Sequence, residues 1–173
     1  MQLLTKYLIG TGGWAYFKVP GQSSLKAYSR IFDFVEVNYT FYKYPDTRMV
    51  EHWRQMVPSH FTFTVRCHQD LTHNIGLKPV QEAYGVFSRM IGVCRVLKAP
   101  FLHLETPARY TFDKQKIREA SNFFSTVDLK GMRLAWEVRG KLTEEVVNLM
   151  ENIGIVHSVD LSKETPALQS DVV

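Results

Sequence analysis

Cysteine and long apolar runs are scarce in this chain, and each scarcity excludes a class of protein. Only Cys67 and Cys94 occur among 173 residues, without metal-ligand spacing, so a disulfide scaffold is excluded and the cytoplasm is the expected compartment. The longest apolar runs, such as residues 91–94, are far shorter than the ~20 residues that a membrane-spanning helix needs. Residues 1–7 lack the apolar stretch of a signal peptide. No membrane partner is therefore expected.

A large excess of charge of one sign is also absent. Twenty-one Lys and Arg residues oppose 17 Asp and Glu residues, which leaves a formal net charge of +4, and no run of five basic residues occurs. Non-specific polyanion binding depends on such clusters, so the composition does not demand a nucleic-acid partner. With 45% hydrophobic residues, 10 Gly and 7 Pro, the chain is neither disordered nor collagen-like, and one globular domain over residues 1–173 is expected.

Short β-like segments alternate with longer helical segments along the chain. The intervening segments carry helix signals: Asp46, Asp113 and Thr143 are N-cap candidates, Pro79 suits a first helical turn, and Gly154 suits a helix end. This order predicts an α/β protein with a parallel sheet. The predicted strands span residues 7–12, 34–42, 61–68, 101–105, 132–139 and 155–160.

The strand spacing predicts an incomplete TIM (β/α)8-type barrel. Strand starts recur about every 30 residues, which is the length of a βαβ unit. A complete barrel needs roughly 250 residues, whereas this chain holds six βα units and the start of a seventh at residues 171–173. We therefore expect either a fragment of a longer protein or a partner, such as a second copy of the chain, that covers the edge strands.

Alternation within the predicted strands separates an apolar face from a polar face. In an open parallel sheet covered on both faces, strands read as continuous apolar runs, whereas here Val35 and Val37 alternate with Glu36 and Asn38. A barrel explains this pattern, because helices cover its outside and its active site lies at the C-terminal ends of its strands. The polar residues expected to converge there are Glu36, Asn38, Arg66, His68, His103, Glu105, Glu137, Arg139 and Asp160.

Two plainer interpretations of these polar residues stay open. They could form satisfied interior ion pairs, for instance Arg66 with Glu36 and Arg139 with Glu137, or an antiparallel arrangement could leave them in solvent. Burial of an unpaired charge costs several kcal/mol, and the set holds more acids, arginines and histidines than closing a barrel requires. We therefore favour a binding or catalytic site at the C-terminal ends of the strands, the mouth of the barrel.

A glycine-rich segment follows the first predicted strand. Gly10, Gly12 and Ala15 match the spacing of the G-x-G-x-x-A dinucleotide fingerprint. That motif must open a helix, whereas Pro20 and Gly21 break any helix that begins here. No nucleotide cofactor is therefore expected.

Several motifs together resemble one known family. They are the glycines with Trp14, the segment Glu36-Val37-Asn38-Tyr39-Thr40-Phe41-Tyr42, the segment Phe63-Thr64-Val65-Arg66, and Thr72-His73. These motifs resemble the YecE-like family, a domain of unknown function (DUF72) whose members look like TIM-barrel proteins longer than this chain. The resemblance implies a fold but no activity, because the family has no established activity to transfer.

The chain departs from the family pattern at two places. On the fourth strand, where the family usually has Gln-Leu-Pro-Pro, this chain has His103-Leu104-Glu105-Thr106-Pro107. The family's Tyr-x-Arg-x-His-Gly segment after the sixth unit is absent. We therefore expect one wall of the mouth to bind something different, and carry over no residues from the later strands.

Hydrolase-type acid–base catalysis is the first hypothesis for function. Glu36 and Glu137 lie on the second and fifth predicted strands, where their carboxyl groups could flank a small polar or phosphorylated substrate as acid and base. Arg66 and Arg139 are the expected anion contacts. The other expected substrate contacts are Trp14, Asn38, Thr40, Tyr42, His68, His73, His103, Glu105 and Asp160.

Two alternatives to this hypothesis stay open. A divalent-metal phosphoesterase could take its ligands from His68, His103, Glu105, Glu137 and Asp160, although no H-x-H or H-E-x-x-H motif is present. A non-catalytic protein could instead bind an anion or single-stranded nucleic acid through the arginines and aromatic side chains of the mouth.

Overall fold

The computed structural model describes residues 7–171, in which six strands form one parallel sheet. The strands lie in chain order across the sheet, and all neighbouring pairs are parallel. The predicted α/β architecture with a parallel sheet is therefore confirmed. The strands are β1 (Gly10–Gly12), β2 (Phe34–Val37), β3 (Thr62–Arg66), β4 (Phe101–Thr106), β5 (Arg133–Val138) and β6 (Val156–His157).

Helices connect the strands, as expected of successive βα units of a TIM-barrel-type fold. The sheet is open within the described residues, since β1 and β6 each have a single neighbour. A π-helical segment at Asp70–Ile75 follows β3. The helices are α1 (Ser24–Tyr28), α2 (Tyr39–Tyr42), α3 (Thr47–Gln55), α4 (Gln81–Leu97), α5 (Lys114–Thr126) and α6 (Glu144–Ile153).

One face of the sheet is packed beneath helices. Val35, Phe63, Leu102, Leu134 and Trp136 project from four successive strands and are at most 1% exposed. Helix α4 packs against β3 and β4 above this layer. The alternating burial along β2, β3 and β5 confirms the predicted apolar face, and it leaves the polar side chains on the opposite face.

Most of the predicted helix boundaries are confirmed. Asp46 and Asp113 cap α3 and α5, and the carboxylate of each accepts a hydrogen bond of 2.8 Å from a backbone N–H three residues later. Thr143 is the N-cap of α6, and Gly154 ends that helix with φ 74°, a left-handed conformation that favours glycine. Pro79 lies outside the first turn of α4, because that helix is capped at Val80.

Replacing Asp113 by alanine should lower the free energy of unfolding by about 1 kcal/mol, because a backbone N–H at the start of α5 loses its acceptor. Urea denaturation followed by circular dichroism measures this change. Asp113→Asn is the matched control, since the asparagine side chain can accept the same hydrogen bond. An equal loss for both variants would show that the charge, rather than the cap, carries the effect.

Four strands end earlier than predicted, one of them, β5, by a single residue at Val138. β2 ends at Val37 rather than residue 42, because residues 39–42 form helix α2. The buried Thr40 hydroxyl oxygen lies 2.6 Å from the Val37 carbonyl oxygen and 2.7 Å from that of Arg66, which holds this helical turn against the end of β3. β3 and β6 also end two and three residues early, at Arg66 and His157.

The two ends of the chain contribute less to the sheet than predicted. β1 begins at Gly10 rather than Tyr7. Of the predicted seventh strand, Asp171 lies in a bend and residues 172–173 lie outside the described residues, as do residues 1–6. Between residues 7 and 171, no helix is both long and apolar enough to cross a membrane.

Candidate functional site

The polar face of the sheet borders a cavity of about 410 Å³. Glu36, Thr64, His103 and Ala135 line it from four successive strands. Residues 158–166, which follow β6, contribute further lining through side chains such as Leu161. This volume lies within the range of small-molecule sites. Of the polar residues that alternation predicts to converge, Glu36 and His103 line this space.

The imidazole of His103 lies between two carboxylates in this region. Its Nδ1 atom is 2.5 Å from Glu36 Oε2, and its Nε2 atom is 3.8 Å from Glu137 Oε2. An ionised carboxylate can only accept, so Nδ1 donates to Glu36; in the neutral form of the ring the lone pair is then on Nε2. Nε2 is buried and makes no hydrogen bond within residues 7–171. This is the arrangement of a base that is oriented by a carboxylate.

Glu105 is the centre of a second group of charges. Its side chain is 4% exposed. Its Oε2 atom accepts a hydrogen bond from Arg66 Nη2 and lies 2.9 Å from Arg139 Nη2 in an ion pair. Arg139 also donates through Nε to Glu137 Oε1 at 2.8 Å, as the ion-pair interpretation expects. The expected pair of Arg66 with Glu36 is wrong, because Glu36 is hydrogen-bonded to His103 and Arg66 reaches Glu105 instead.

The pKa values of the two buried glutamates shift in opposite directions. Burial opposes ionisation of Glu36, but the hydrogen bond and positive charge of His103, together with the two arginines, lower its pKa below the usual value. Burial raises the pKa of Glu105 even though the same arginines oppose the rise. Carboxyl groups with separated pKa values can serve as acid and base at one pH.

Asn38 and Phe41 hold the guanidinium of Arg66. The guanidinium carbon lies 4.2 Å from the Phe41 ring centroid, and Nη1 lies 3.5 Å from Asn38 Oδ1. Asn38 in turn donates to the Gly12 carbonyl at 3.0 Å, an approach that needs glycine because a Cβ there would lie 2.6 Å from Asn38 Nδ2. Phe41 falls within the predicted strand 34–42, so its contact with Arg66 depends on the helical turn α2, which the sequence analysis did not predict.

His73 approaches Glu105 from the π-helical segment. Its Nε2 atom is 4.0 Å from Glu105 Oε1, and its Nδ1 atom is 2.9 Å from Thr72 Oγ1. Burial and the positive charges of Arg109, Arg66 and Arg139 lower the pKa of His73. Sequence reasoning missed Arg109. The signal that could have found it is its place in the loop after β4, since loops at that end of barrel strands carry functional residues.

His68 and Asp160 have other contact partners than these groups, so neither side chain joins the predicted cluster through a contact. The His68 ring is 5% exposed, stacks on Tyr44 with centroids 3.9 Å apart, and lies 3.1 Å from Asp70 Oδ2. Asp160 is exposed, and its carboxylate binds Ser162 and Lys163 in a surface turn. Both residues lie beyond the ends of their strands, where the alternation of a β-strand no longer determines which way a side chain points.

The remaining expected contacts take different positions. Trp14 is partly buried, with its ring edge-on to Trp53 at a centroid distance of 5.4 Å. Tyr42 is 63% exposed and touches Phe41. Thr40 is fully buried, and its hydroxyl lies against backbone carbonyls rather than the cavity. Thr40 therefore supports the backbone, whereas contact of Trp14 and Tyr42 with a substrate stays a prediction.

The residues expected to bind a metal are not gathered at one place. In the part of the chain that the structure describes, no three His, Cys, Asp or Glu side chains are grouped so that they could hold a metal ion. His68 and Asp160 lie elsewhere, and Glu105 is engaged by two arginines. The metal alternative therefore has no assembled site among these residues.

Comparison with known proteins gives consistent matches. A family model described as protein of unknown function DUF72 matches residues 8–168. The UPF0759 protein YunF of Bacillus subtilis (strain 168) is 27% identical over 170 residues, covering 87% of this chain and 59% of that protein. The crystal structure of a DUF72 family protein from Thermotoga maritima MSB8 has a TM-score of 0.67 at 22% identity and covers 86% of this chain and 62% of that one.

A second solved structure agrees on the fold. The DUF72 family protein of Enterococcus faecalis V583 has a TM-score of 0.63 at 15% identity, over 86% of this chain and 60% of that one. Likeness at such identities concerns the fold alone. The chain spans about 59% of the length of its curated relative.

Proposed function

We propose that this chain, which belongs to the DUF72 family of proteins of unknown function, is an enzyme that performs acid–base chemistry on a small polar substrate at the polar face of its sheet. The observation that carries the proposal is the His103 ring, held by Glu36 at the wall of the cavity with an unpartnered Nε2 atom. A cytoplasmic location belongs to the proposal, supported by the two free cysteines.

In this proposal His103 is the base, whereas Glu36 and Glu137, the pair first expected to act as acid and base, stabilise its protonated form. The neutral ring accepts a proton on Nε2 from a substrate hydroxyl group or from water. The resulting imidazolium is stabilised by the Glu36 carboxylate on Nδ1 and by Glu137, 3.8 Å from Nε2. Proton transfer of this kind contributes about 10²–10⁴-fold to a rate.

Glu105 supplies the complementary acid in the proposed reaction. Burial raises the pKa of this carboxyl group, which favours a protonated form that can donate to a leaving group. Substrate, acid and base therefore form one connected set around Glu105 and His103.

Glu36→Gln provides the first test of catalysis. The parent protein should hydrolyse at least one member of a panel of p-nitrophenyl phosphates, glycosides and carboxylic esters. The variant should be slower by about a hundredfold or more, because glutamine presents a neutral amide to Nδ1 and stabilises no imidazolium. Release of p-nitrophenol measures both rates.

Glu51→Gln, an exposed glutamate on α3, is the control and should retain full activity. Equal activity of the parent and Glu36→Gln would contradict the proposal. Absence of activity across the panel, together with an unchanged thermal midpoint on addition of every substrate, would favour the interpretation of these residues as a structural ion-pair network.

A further inference from the structure

We propose that the charged group around Glu105 is a subsite for a tetrahedral dianion, the phosphate group of the substrate, which takes the place of the Glu105 carboxylate between Arg66 and Arg139. The inference names the substrate class of the site above and so rests on the proposed function. The substrate is then a phosphate monoester rather than a neutral molecule.

The convergence of two guanidinium groups on one oxygen atom is the geometric basis. Arg66 Nη2 donates to Glu105 Oε2 and Arg139 Nη2 lies 2.9 Å from the same oxygen in an ion pair, so both guanidinium groups already face a single bound anion. Arg66 Nε is buried and has no hydrogen-bond partner within residues 7–171, which leaves a donor free for a further oxygen. A phosphate group offers more acceptor oxygens than a carboxylate and suits bidentate arginine contacts.

Access to this position comes through Arg139. Its side chain is 51% exposed, whereas those of Arg66 and Glu105 are 13% and 4% exposed. A ligand can therefore meet Arg139 from solvent first and reach Arg66 when the Glu105 carboxylate yields its place. The ring of Phe41 keeps the Arg66 guanidinium in position throughout.

The cavity next to this position has no Lys or Arg among its lining residues. Glu36 is the single acid among them, and Phe34, Phe101 and Leu161 supply much of the remaining wall. A phosphate group there would be repelled by Glu36 and would have no guanidinium or ammonium group as a partner. The substrate would therefore place its phosphate at the arginines and its less polar body in the cavity.

The charges that face Glu105 determine how the anion can enter. They belong to five residues on three strands and their following loops, namely Arg66, His73, His103, Glu137 and Arg139. Arg109 adds a third arginine charge nearby and makes no hydrogen bond or ion pair in the part of the chain described. If Glu105 is protonated, three arginines face two remaining carboxylates, Glu36 and Glu137, and Glu36 is also hydrogen-bonded to His103. The arginine charges then outnumber the carboxylate charges, which favours binding of a dianion.

Binding is therefore coupled to proton uptake. The Glu105 carboxylate takes one proton from solvent, its two ion pairs are broken, and both guanidinium groups pair with the dianion instead. No bond to carbon or phosphorus changes in this exchange. Burial already raises the pKa of Glu105, so binding of the anion has to supply only part of the free energy of protonating this carboxylate. At pH values above the pKa of Glu105, the affinity for the dianion should therefore rise about tenfold for each unit by which the pH is lowered.

Isothermal titration calorimetry with sulfate tests the coupling, since sulfate stays a dianion throughout the pH range used. The whole chain is titrated at pH 6, 7 and 8 in two buffers of different ionisation enthalpy. We expect uptake of about one proton per sulfate and a tenfold loss of affinity per pH unit. Glu105→Gln should bind sulfate without this pH dependence and about tenfold or more tightly than the parent at pH 8.

Two arginine variants separate the subsite from general charge. Arg139→Gln should weaken sulfate binding about tenfold or more, because one charge-assisted contact is lost. Arg133→Gln removes an exposed arginine paired with Asp171 at 2.7 Å and should leave sulfate binding unchanged. If Glu105→Gln does not fold, two measurements still test the subsite: the pH dependence of sulfate affinity in the parent protein, and the loss of sulfate affinity in Arg139→Gln.

The results distinguish failure of the subsite from failure of the proposed function. Tighter binding of phenyl phosphate than of sulfate, with phenol not bound, would support a phosphate monoester whose body enters the cavity. Absence of sulfate binding, or binding with the same affinity at every pH, would overturn the subsite. Turnover of a neutral ester without sulfate binding would overturn the subsite alone. Sulfate binding with full activity in Glu36→Gln would contradict the proposed catalysis and retain the subsite.

Discussion

Replacing His103 by glutamine is expected to lower kcat by a factor of about 10²–10⁴, the usual contribution of one general acid–base group. The glutamine amide can still donate to the Glu36 carboxylate, so the wall of the cavity keeps its hydrogen bond, but the amide cannot take up a proton. KM should change much less than kcat, because the lost interaction is made in the transition state. Steady-state kinetics on the substrate found by screening measures both constants.

His60→Gln is the matched control for this variant. His60 also lies near a carboxylate, Asp33 at 3.9 Å, but its side chain is 69% exposed and does not line the cavity. Its removal should leave kcat and KM unchanged. A His103→Gln protein with the kcat of the parent would exclude His103 from proton transfer and favour a structural role for the Glu36–His103 pair.

Replacing Trp136 by alanine is expected to lower the free energy of unfolding by about 3–5 kcal/mol, the usual cost of removing a large buried aromatic side chain. The indole is fully buried and contacts the rings of Phe112 and Phe124 at centroid distances of 5.5 and 5.6 Å. Its Nε1 atom donates to Thr106 Oγ1 at 3.2 Å. The change removes packing and a hydrogen bond that join β4, β5 and α5.

Urea denaturation measures this loss, and Trp136→Phe separates its two parts. Phenylalanine keeps most of the ring packing but cannot donate to Thr106, so its cost should be smaller, about 1–3 kcal/mol. Equal costs for the two variants would show that the hydrogen bond rather than the filled volume dominates at this position. A loss under 1 kcal/mol for Trp136→Ala would contradict the placement of Trp136 in the core.

Much of the fold could be predicted because its signals are local. Asp113 and Gly154 mark helix ends through hydrogen bonds and a left-handed backbone that involve only nearby residues. Alternation within β5 places Trp136 beneath the helices and Glu137 on the opposite face, since side-chain direction reverses at every strand residue. The parallel order of strands and helices, and the existence of a polar interior, follow from such patterns alone.

The partners within the polar face could not be predicted in the same way. Arg66 pairs with Glu105 rather than Glu36, because the register between strands and the curvature of the sheet decide which charges meet. Residues beyond a strand end escape alternation, so His68 turns onto Tyr44 and Asp160 into a surface turn. Residue types and spacing thus determine which groups face the interior of this protein. The tertiary structure decides which of these groups acts as base, as acid or as anion contact, because those roles depend on distances between segments that are remote in the chain.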